Sequence, residues 1–532
     1  MSGSKLCVWR LNLRILPLDS TCETSGALSK NPDPSFFLIG DEVSTKQSVT
    51  LDRKWKIEDV KCAVGAVFHV TQPLGITFHS SDNDQELTSA VQSPQGPGGL
   101  PLVGSFFEIF TDHLGNHYRL FRKYEHVIKT TNMGQTTYLT DSLEVAFVAL
   151  SESIYMTKKI NESHPLWGVK DNTAIFIGDT ETENWRLAHR FLPPDMGPKA
   201  VRHYTPLMQA SLRSSFAVFD EMDAGGEAWN VYQYMVKLAS QKIGKFSFGI
   251  DYEHFKSVDT PLHPMVINIV TLLSLNKKVT SRGEWYRHLP FGDPARLKSL
   301  QDCIDQVKGP DIAGMSMNEA AINASFVVVY LINTVDESGE KFLEGLVIAN
   351  MLIVTGAGFT TTSSLLSWLI YCFVNYEGTQ DRLYTEICVE GIANSEKPVT
   401  WTPKVAHSLS YMDRFPGRTI KTEVVLPGVP ALYAIHKIPE IWRDPIRFDP
   451  DRQEGEETKG MHRCAYIPLA TGARGCIRFN FALLEVKILL AELVSRYEFF
   501  REGQEAIEYD PDFQLIRPLN FYVRAKKREN IV

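Results

Sequence analysis

Of all the side chains in this sequence that could do chemistry, Cys476 sits in the most informative surroundings. It closes the run Tyr466-Ile-Pro-Leu-Ala-Thr-Gly-Ala-Arg-Gly-Cys476 and is followed by IRFNFALLEVKILLAELVSRYEFF. Ala482, Val486, Leu489, Leu493 and Tyr497 recur at helical spacing, which predicts a helix beginning just after the cysteine. A thiol at a helix N-terminus meets the positive end of the helix dipole. Its pKa is therefore expected to fall, favouring the thiolate, the form that ligates metals. Gly472 and Gly475 allow a tight turn that aims amide N–H groups at the sulfur, and such donors moderate how strongly a ligating thiolate gives up charge. Arg474 is placed to meet an anion held nearby. A cysteine ahead of an amphipathic helix is often no more than a small buried apolar side chain; the glycines and the arginine argue for the chemical reading.

A second constellation, Ala357-Gly-Phe-Thr-Thr-Thr-Ser-Ser364, lies inside the long apolar region from Leu346 to Val374. Ala357 and Gly358 are small enough to let a helix approach a flat group closely. A threonine hydroxyl can bond its own backbone and open the helical ladder locally, leaving room for a small ligand and a chain of water. Thr360 and Thr361 are the candidate proton-handling residues, with a Thr/Ser-rich core helix as the plain alternative. Farther upstream, Thr180-x-x-Glu183 predicts a capping box opening a helix that carries Trp185 and His189 one turn apart.

The chain that must position these residues has 532 residues, 44% hydrophobic and 22% charged, enough to bury a large core. A net charge of -8 gives no electrostatic footprint for nucleic acid, and no basic run suggests an anionic membrane surface. Eight cysteines are scattered without CxxC or zinc-type spacing. The opening MSGSKLCVWRLNLRILPLDS has too interrupted an apolar stretch for a secretory or membrane segment. Gly356, Gly358 and the run Thr360 to Ser364 break the long apolar region, so it reads as a buried helix. The expectation is a soluble cytoplasmic protein without stable membrane insertion, its cysteines reduced.

Residues 1–93 differ in character from the rest. Phe36 to Ile39, Ser48 to Leu51 and Leu74 to Phe78 read as strands, and Lys56 to Val70 as a helix with Ile57, Val60, Val64 and Val67 on one side. That order suggests a small α+β module of β-grasp type, with irregular leader sequence as the alternative. Ser93 to Gly99, SPQGPGG, is the boundary. Residues 94–532 then read as one large, mainly helical domain with strand-like pieces near 126–139 and 508–524.

The cysteine loop resembles the haem-binding signature of cytochromes P450, F-x-x-G-x-R-x-C-x-G, with Gly472, Arg474 and Cys476 in register. Leu469 stands where the family has Phe, and Arg478 stands where it has Gly, a bulky charge where helix and haem usually approach closely. The segment from Ala357 resembles the family's A-G-x-(D/E)-T-T motif, with Thr361 at the proton-delivering threonine and Thr360 in place of the acid. Trp185 and His189 match a W-x-x-x-(R/H) pair that bonds a haem propionate; Phe448-Asp-Pro-Asp-Arg452 matches F-x-P-x-R; Gln95 to Ser105 resembles the hinge that opens the domain. Around Phe176, Trp185 and Leu192-Pro-Pro-Asp-Met the chain is most similar to soluble fatty-acid-hydroxylating members. The resemblance covers residues 95–528 and implies a mainly α fold with smaller β-sheets. It also implies haem b on Cys476 with Arg474 at a propionate, and Phe176 steering substrate over the distal face. Electrons would come from NADPH through a separate flavin reductase, and one atom of O2 would enter an apolar or fatty-acid-like substrate.

One family element is absent. The E-x-x-R helix should lie ahead of Phe448, but Ser410-Tyr-Met-Asp-Arg-Phe-Pro-Gly-Arg418 passes straight from its lead-in to its sequel, and Leu426-Pro-Gly-Val-Pro430 shortens an expected hairpin. Glu440-Ile-Trp-Arg443 fits as a string but falls too near Phe448. This leaves two rivals to the monooxygenase reading: a peroxide-using or lipid-rearranging haem-thiolate enzyme, and an inactive relative whose N-terminal module binds partners.

Overall fold

The computed structural model describes the strand segments 12–15, 35–38, 47–48 and 77–80 and most of residues 94–529, leaving out chiefly 152–172, 306–314, 317–325, 394–398, 416–431 and 452–459. In the N-terminal part β1 (Asn12–Ile15), β2 (Ser35–Leu38), β3 (Gln47–Ser48) and β4 (Thr77–Ser80) form a sheet in the order β3-β2-β1-β4. β1 pairs antiparallel with β2 and parallel with β4. β1 lies in the opening stretch that periodicity had not marked as a strand. The helix expected over 56–70 lies outside the described residues.

Beyond residue 94 the chain is mainly helical. The central element is α12 (Glu344–Asn375), 32 residues long, flanked by α7 (Val231–Phe248) and α15 (Phe479–Arg496). All three bury apolar side chains in one cluster, among them Ile243 and Phe246, Phe359 and Leu366, Phe481 and Leu489. Their ends follow ordinary chemistry. The Asn230 side chain accepts from Gln233 N–H to open α7, and Gly249 closes it at a φ of 72°. Among the described residues α12 is the one helix long and apolar enough to cross a bilayer, and 72% of its most apolar window is buried inside the protein. That is the signature of a core helix, as its glycines and threonines suggest.

The strand-like pieces near 126–139 are β5 (Val127–Asn132) and β6 (Gln135–Thr140), an antiparallel hairpin turned by Met133 and Gly134, both at positive φ. The second region reaches further than expected. β11 (Tyr522–Lys527) pairs with β10 (Tyr497–Glu502), which leaves α15 directly, and with β7 (Trp229–Asn230) at the start of α7. The segment before β11 is a turn closed by a bridge between Tyr509 and Pro518.

Candidate active site

The cysteine loop is shaped by its own backbone. Cys476 N–H donates to the Leu469 carbonyl at 3.0 Å, and Gly475 N–H to the Gly472 carbonyl at 3.0 Å, closing a single turn over residues 472–474. Gly472 has a φ of 72°, and a β-carbon there would collide with the carbonyl oxygen of Leu150, at the end of α3 (Leu143–Leu150). Only glycine meets both demands. Gly475 has an ordinary φ of -57°, so of the two glycines only Gly472 takes the left-handed turn.

Cys476 keeps exposed surface, whereas Cys464, twelve residues earlier, is wholly buried in a separate apolar cluster. The expected fall in thiol pKa does not hold for the polypeptide. Enough protein crowds Cys476 that burial pushes its thiol up; the N–H and guanidinium of Arg478 pull the other way without prevailing. The reason is position. α15 starts at Phe479, three residues beyond the cysteine, and dipole effects fade within one turn. The amide that serves the sulfur is that of Arg478; the amides of Gly475 and Cys476 are used within the loop.

α12 carries an open stripe. Ala357 and Thr361 are exposed on a helix whose neighbouring residues Thr355, Gly356, Gly358, Phe359, Thr360 and Thr362 are buried. At about 100° per residue, Asn350, Ala357, Thr361, Ser364 and Trp368 share one face. Both ends of that face are tied to distant segments. Asn350 accepts from Ile175 N–H at 2.8 Å, while Ser364 Oγ and Trp368 Nε1 both donate to the Ile516 carbonyl, the latter at 3.1 Å. The opening is thus bounded by the loop around Ile175 and the turn around Ile516, both buried apolar residues. These tethers escaped the sequence reading, because the helical phase of Asn350 and Trp368 was legible but their partners were not. Phe176 lies outside the described residues.

Thr361 Oγ1 donates to the Ala357 carbonyl at 2.7 Å while remaining exposed. Thr360 makes the same bond to Gly356 at 2.7 Å but is turned into the core, so the two threonines are not equivalent. Gly358 also leaves the expected arrangement. It faces Ile243 and the Arg478 guanidinium, which would collide with a β-carbon there. What approaches α12 closely at Gly358 is Arg478.

Trp185 and His189 stack at 4.6 Å between ring centroids on α4 (Glu183–Asp195). The helix is opened by Thr182, whose side chain accepts from Trp185 N–H at 3.3 Å, and not by Thr180. Trp185 belongs to the apolar cluster against which Ala473 and Ile477 of the cysteine loop pack. Arg474 lies in the single turn 472–474.

The Glu440-Ile-Trp-Arg443 string has no part in a buried network: Glu440 and Arg443 are exposed, and Glu440 reaches Arg122 at 3.5 Å on the surface. Ser410 to Phe415 are helical, with the Glu386 carboxylate accepting the N–H groups of Tyr411 and Met412 at 2.7 and 2.9 Å. Asp451 is held by Arg382 at 2.8 Å and by Arg414 at 3.4 Å, which keeps its carboxyl below the usual range. Arg452 lies outside the described residues.

A family model described as cytochrome P450 matches residues 94–402 and 400–523. The chain is also 41% identical over 544 aligned residues to the cytochrome P450 monooxygenase alnD of Emericella nidulans, covering 93% of this chain and 98% of that protein. The chain belongs to the cytochrome P450 family. More distant P450 relatives include the bifunctional cytochrome P450/NADPH–P450 reductase ascE of Acremonium egyptiacum, 24% identical over 82% of this chain and 43% of that protein, and human cytochrome P450 4X1, 26% identical over 44% and 47%. Membership makes the chain a haem-thiolate monooxygenase. The residues present suit the P450 cofactor: an exposed cysteine in a loop closed against the core, and on α12 a stripe left open at Ala357 and Thr361 between buried neighbours.

Proposed function

We propose that the Cys476 thiolate would hold the iron of haem b, with Gly472 shaping its loop, and that Arg474, Trp185 and His189 would meet the propionates. The observation that carries this reading is the coincidence of exposure at Cys476, Ala357 and Thr361 within a buried core. Haem, when bound, supplies activation of O2 and insertion of one oxygen atom into a C–H bond. The protein's own residues do the rest. Ala357, small and exposed, would leave room for the haem beside α12. Thr361, exposed and already bonded to the Ala357 carbonyl, holds water and passes protons by reorienting its hydroxyl. The opening between Ile175 and Ile516 is apolar at both ends, which favours an apolar or fatty-acid-like substrate lying along α12, with Phe176 steering it.

Electrons are proposed to come from NADPH through a separate flavin reductase. In support, alnD, matched over 98% of its length, is named a monooxygenase, whereas ascE, named a bifunctional P450/reductase, is matched over 43% of its length. The buried setting of α12 supports a core helix and not a membrane span, in keeping with the proposed soluble, cytoplasmic enzyme. A second reading, turnover with peroxide or rearrangement of an oxygenated lipid, is favoured by Thr360, which brings no carboxyl and faces the core. Reconstitution with a flavin reductase separates the two. NADPH-dependent oxygenation of a long-chain substrate is expected, with product formed per NADPH consumed falling several-fold in Thr361→Ala. Turnover with peroxide alone, unaffected by NADPH, would support the second reading.

Residues 1–93 are proposed to be a β-grasp-like module ahead of a haem domain spanning 94–532. The order β3-β2-β1-β4 with β1 parallel to β4 supports it, as does a family match that begins at residue 94. The match to alnD, covering 93% of the chain, extends into this part, so it is shared with that relative. Deleting residues 1–93 is expected to leave the haem spectrum unchanged; loss of haem on truncation would refute an independent unit.

A further inference from the structure

Ser364 and Trp368 stand one turn apart on α12 and give their donors to the same atom, the Ile516 carbonyl oxygen: the Ser364 hydroxyl and, at 3.1 Å, the Trp368 indole N–H. All three residues are buried. A carbonyl oxygen has two lone pairs, so the two donors fill it. The turn that carries Ile516 closes its base with other atoms. Asp510 N–H donates to the Arg517 carbonyl at 3.0 Å, Leu519 N–H to the Glu508 carbonyl at 2.9 Å, and the Arg517 guanidinium to the Asp510 carboxylate at 2.6 Å. Its far side is held by Lys277 of α8 (Pro264–Ser281), which donates to the Phe513 carbonyl at 2.8 Å. The Ile516 side chain packs in one apolar cluster with Trp368 and Leu114. At Ile516, therefore, α12 itself fixes the turn. Ala357 and Thr361, exposed, share the face of α12 that carries Ser364 and Trp368. One rigid helix thus presents the open stripe and sets the position of a wall beside it.

We propose that Ser364 and Trp368 are positioning residues that fix the Ile516 wall and so set how tightly the opening grips the apolar part of a substrate. The proposal rests on the reading of that opening as the site of an apolar chain beside haem. A chain lying along α12 gains many small dispersion contacts, and a gap of a fraction of an ångström forfeits a large part of each. A wall released from its two donors loses that contact along the chain, whereas a small group bound at the iron alone does not feel it.

The test loads the full chain with haem and compares two probes, imidazole and 1-dodecylimidazole. Both bind haem iron through the same ring and are followed by the same Soret shift; they differ by a saturated alkyl chain. In the wild type the dodecyl compound is expected to bind the more tightly. Ser364→Ala and Trp368→Phe each delete one donor and are expected to weaken it about fivefold, the worth of one hydrogen bond, and the double variant by more. Imidazole affinity is expected to stay unchanged in all three. A wild type that binds both probes equally would remove the apolar opening, and this proposal with it. A wild-type preference kept in full by the variants would overturn the positioning role while the apolar opening stands. Equal weakening of both probes would overturn it too, because the pair would then support the haem site as a whole. Loss of haem from one single variant leaves the other to decide, and loss from both would count against the proposal in the same way.

Discussion

Replacing Cys476 by serine is expected to abolish the strongly red-shifted Soret band of the reduced CO complex, while Cys464→Ser leaves it intact. A hydroxyl at position 476 could not supply the soft, charge-donating ligand on which that band depends. The two cysteines lie twelve residues apart in the same stretch of chain, so sequence position alone does not separate them. The structure does. Cys476 is exposed in a loop held open by Gly472, whereas Cys464 is fully buried among Ile435, Trp442 and Ile467. A buried apolar cysteine tolerates serine at the cost of an added polar hydroxyl, which lowers stability modestly but leaves the metal site alone. Absorption spectra of the two purified variants decide the matter: a red-shifted band surviving in Cys476→Ser would remove the assignment.

Replacing Glu485 by leucine is expected to destabilise the fold by about 3–5 kcal/mol, a large share of a domain's roughly 5–15 kcal/mol. Glu485 on α15 pairs with Lys242 on α7, and both are 1–2% exposed. Burial, and then the charge of Arg478, already hold the Lys242 ammonium well below its ordinary pKa. Removing the carboxylate leaves the buried Lys242 nitrogen without the partner that offsets its desolvation. Replacing both partners by leucine is expected to restore most of the loss, because apolar residues of similar volume bring no desolvation penalty. Thermal and urea unfolding of the single and double variants measure this. A single variant as stable as wild type, or a double variant worse than the single, would show that the pair does not work in this way.

The sequence by itself determined what nearest neighbours along the chain can determine. Helical spacing through Ala482, Val486 and Leu489 marked α15, and glycines with an arginine ahead of Cys476 marked the loop. The interruption of an apolar run at Gly356, Gly358 and Thr360 marked α12 as a core helix, as its burial bears out. Each of these signals lies within a few turns of one element, where side-chain periodicity and turn chemistry act. What lies opposite each element was not local. Ile175 stands 175 residues from Asn350, and Ile516 stands 148 from Trp368; no spacing rule connects them, so the walls of the cleft emerged only in three dimensions. Phase decided the rest. Thr360 and Thr361 are adjacent, and 100° of helical rotation turns one hydroxyl into the core and leaves the other exposed. Cys476 was expected to feel the end of a helix, but that helix starts at Phe479 and burial governs the thiol instead. Arg478, expected to crowd the haem, is drawn aside by Phe246, Phe481 and the Val354 carbonyl because Gly358 leaves it room. A side chain that long goes where tertiary packing provides a cradle, and that cradle is built from three helices that meet only once the chain has folded.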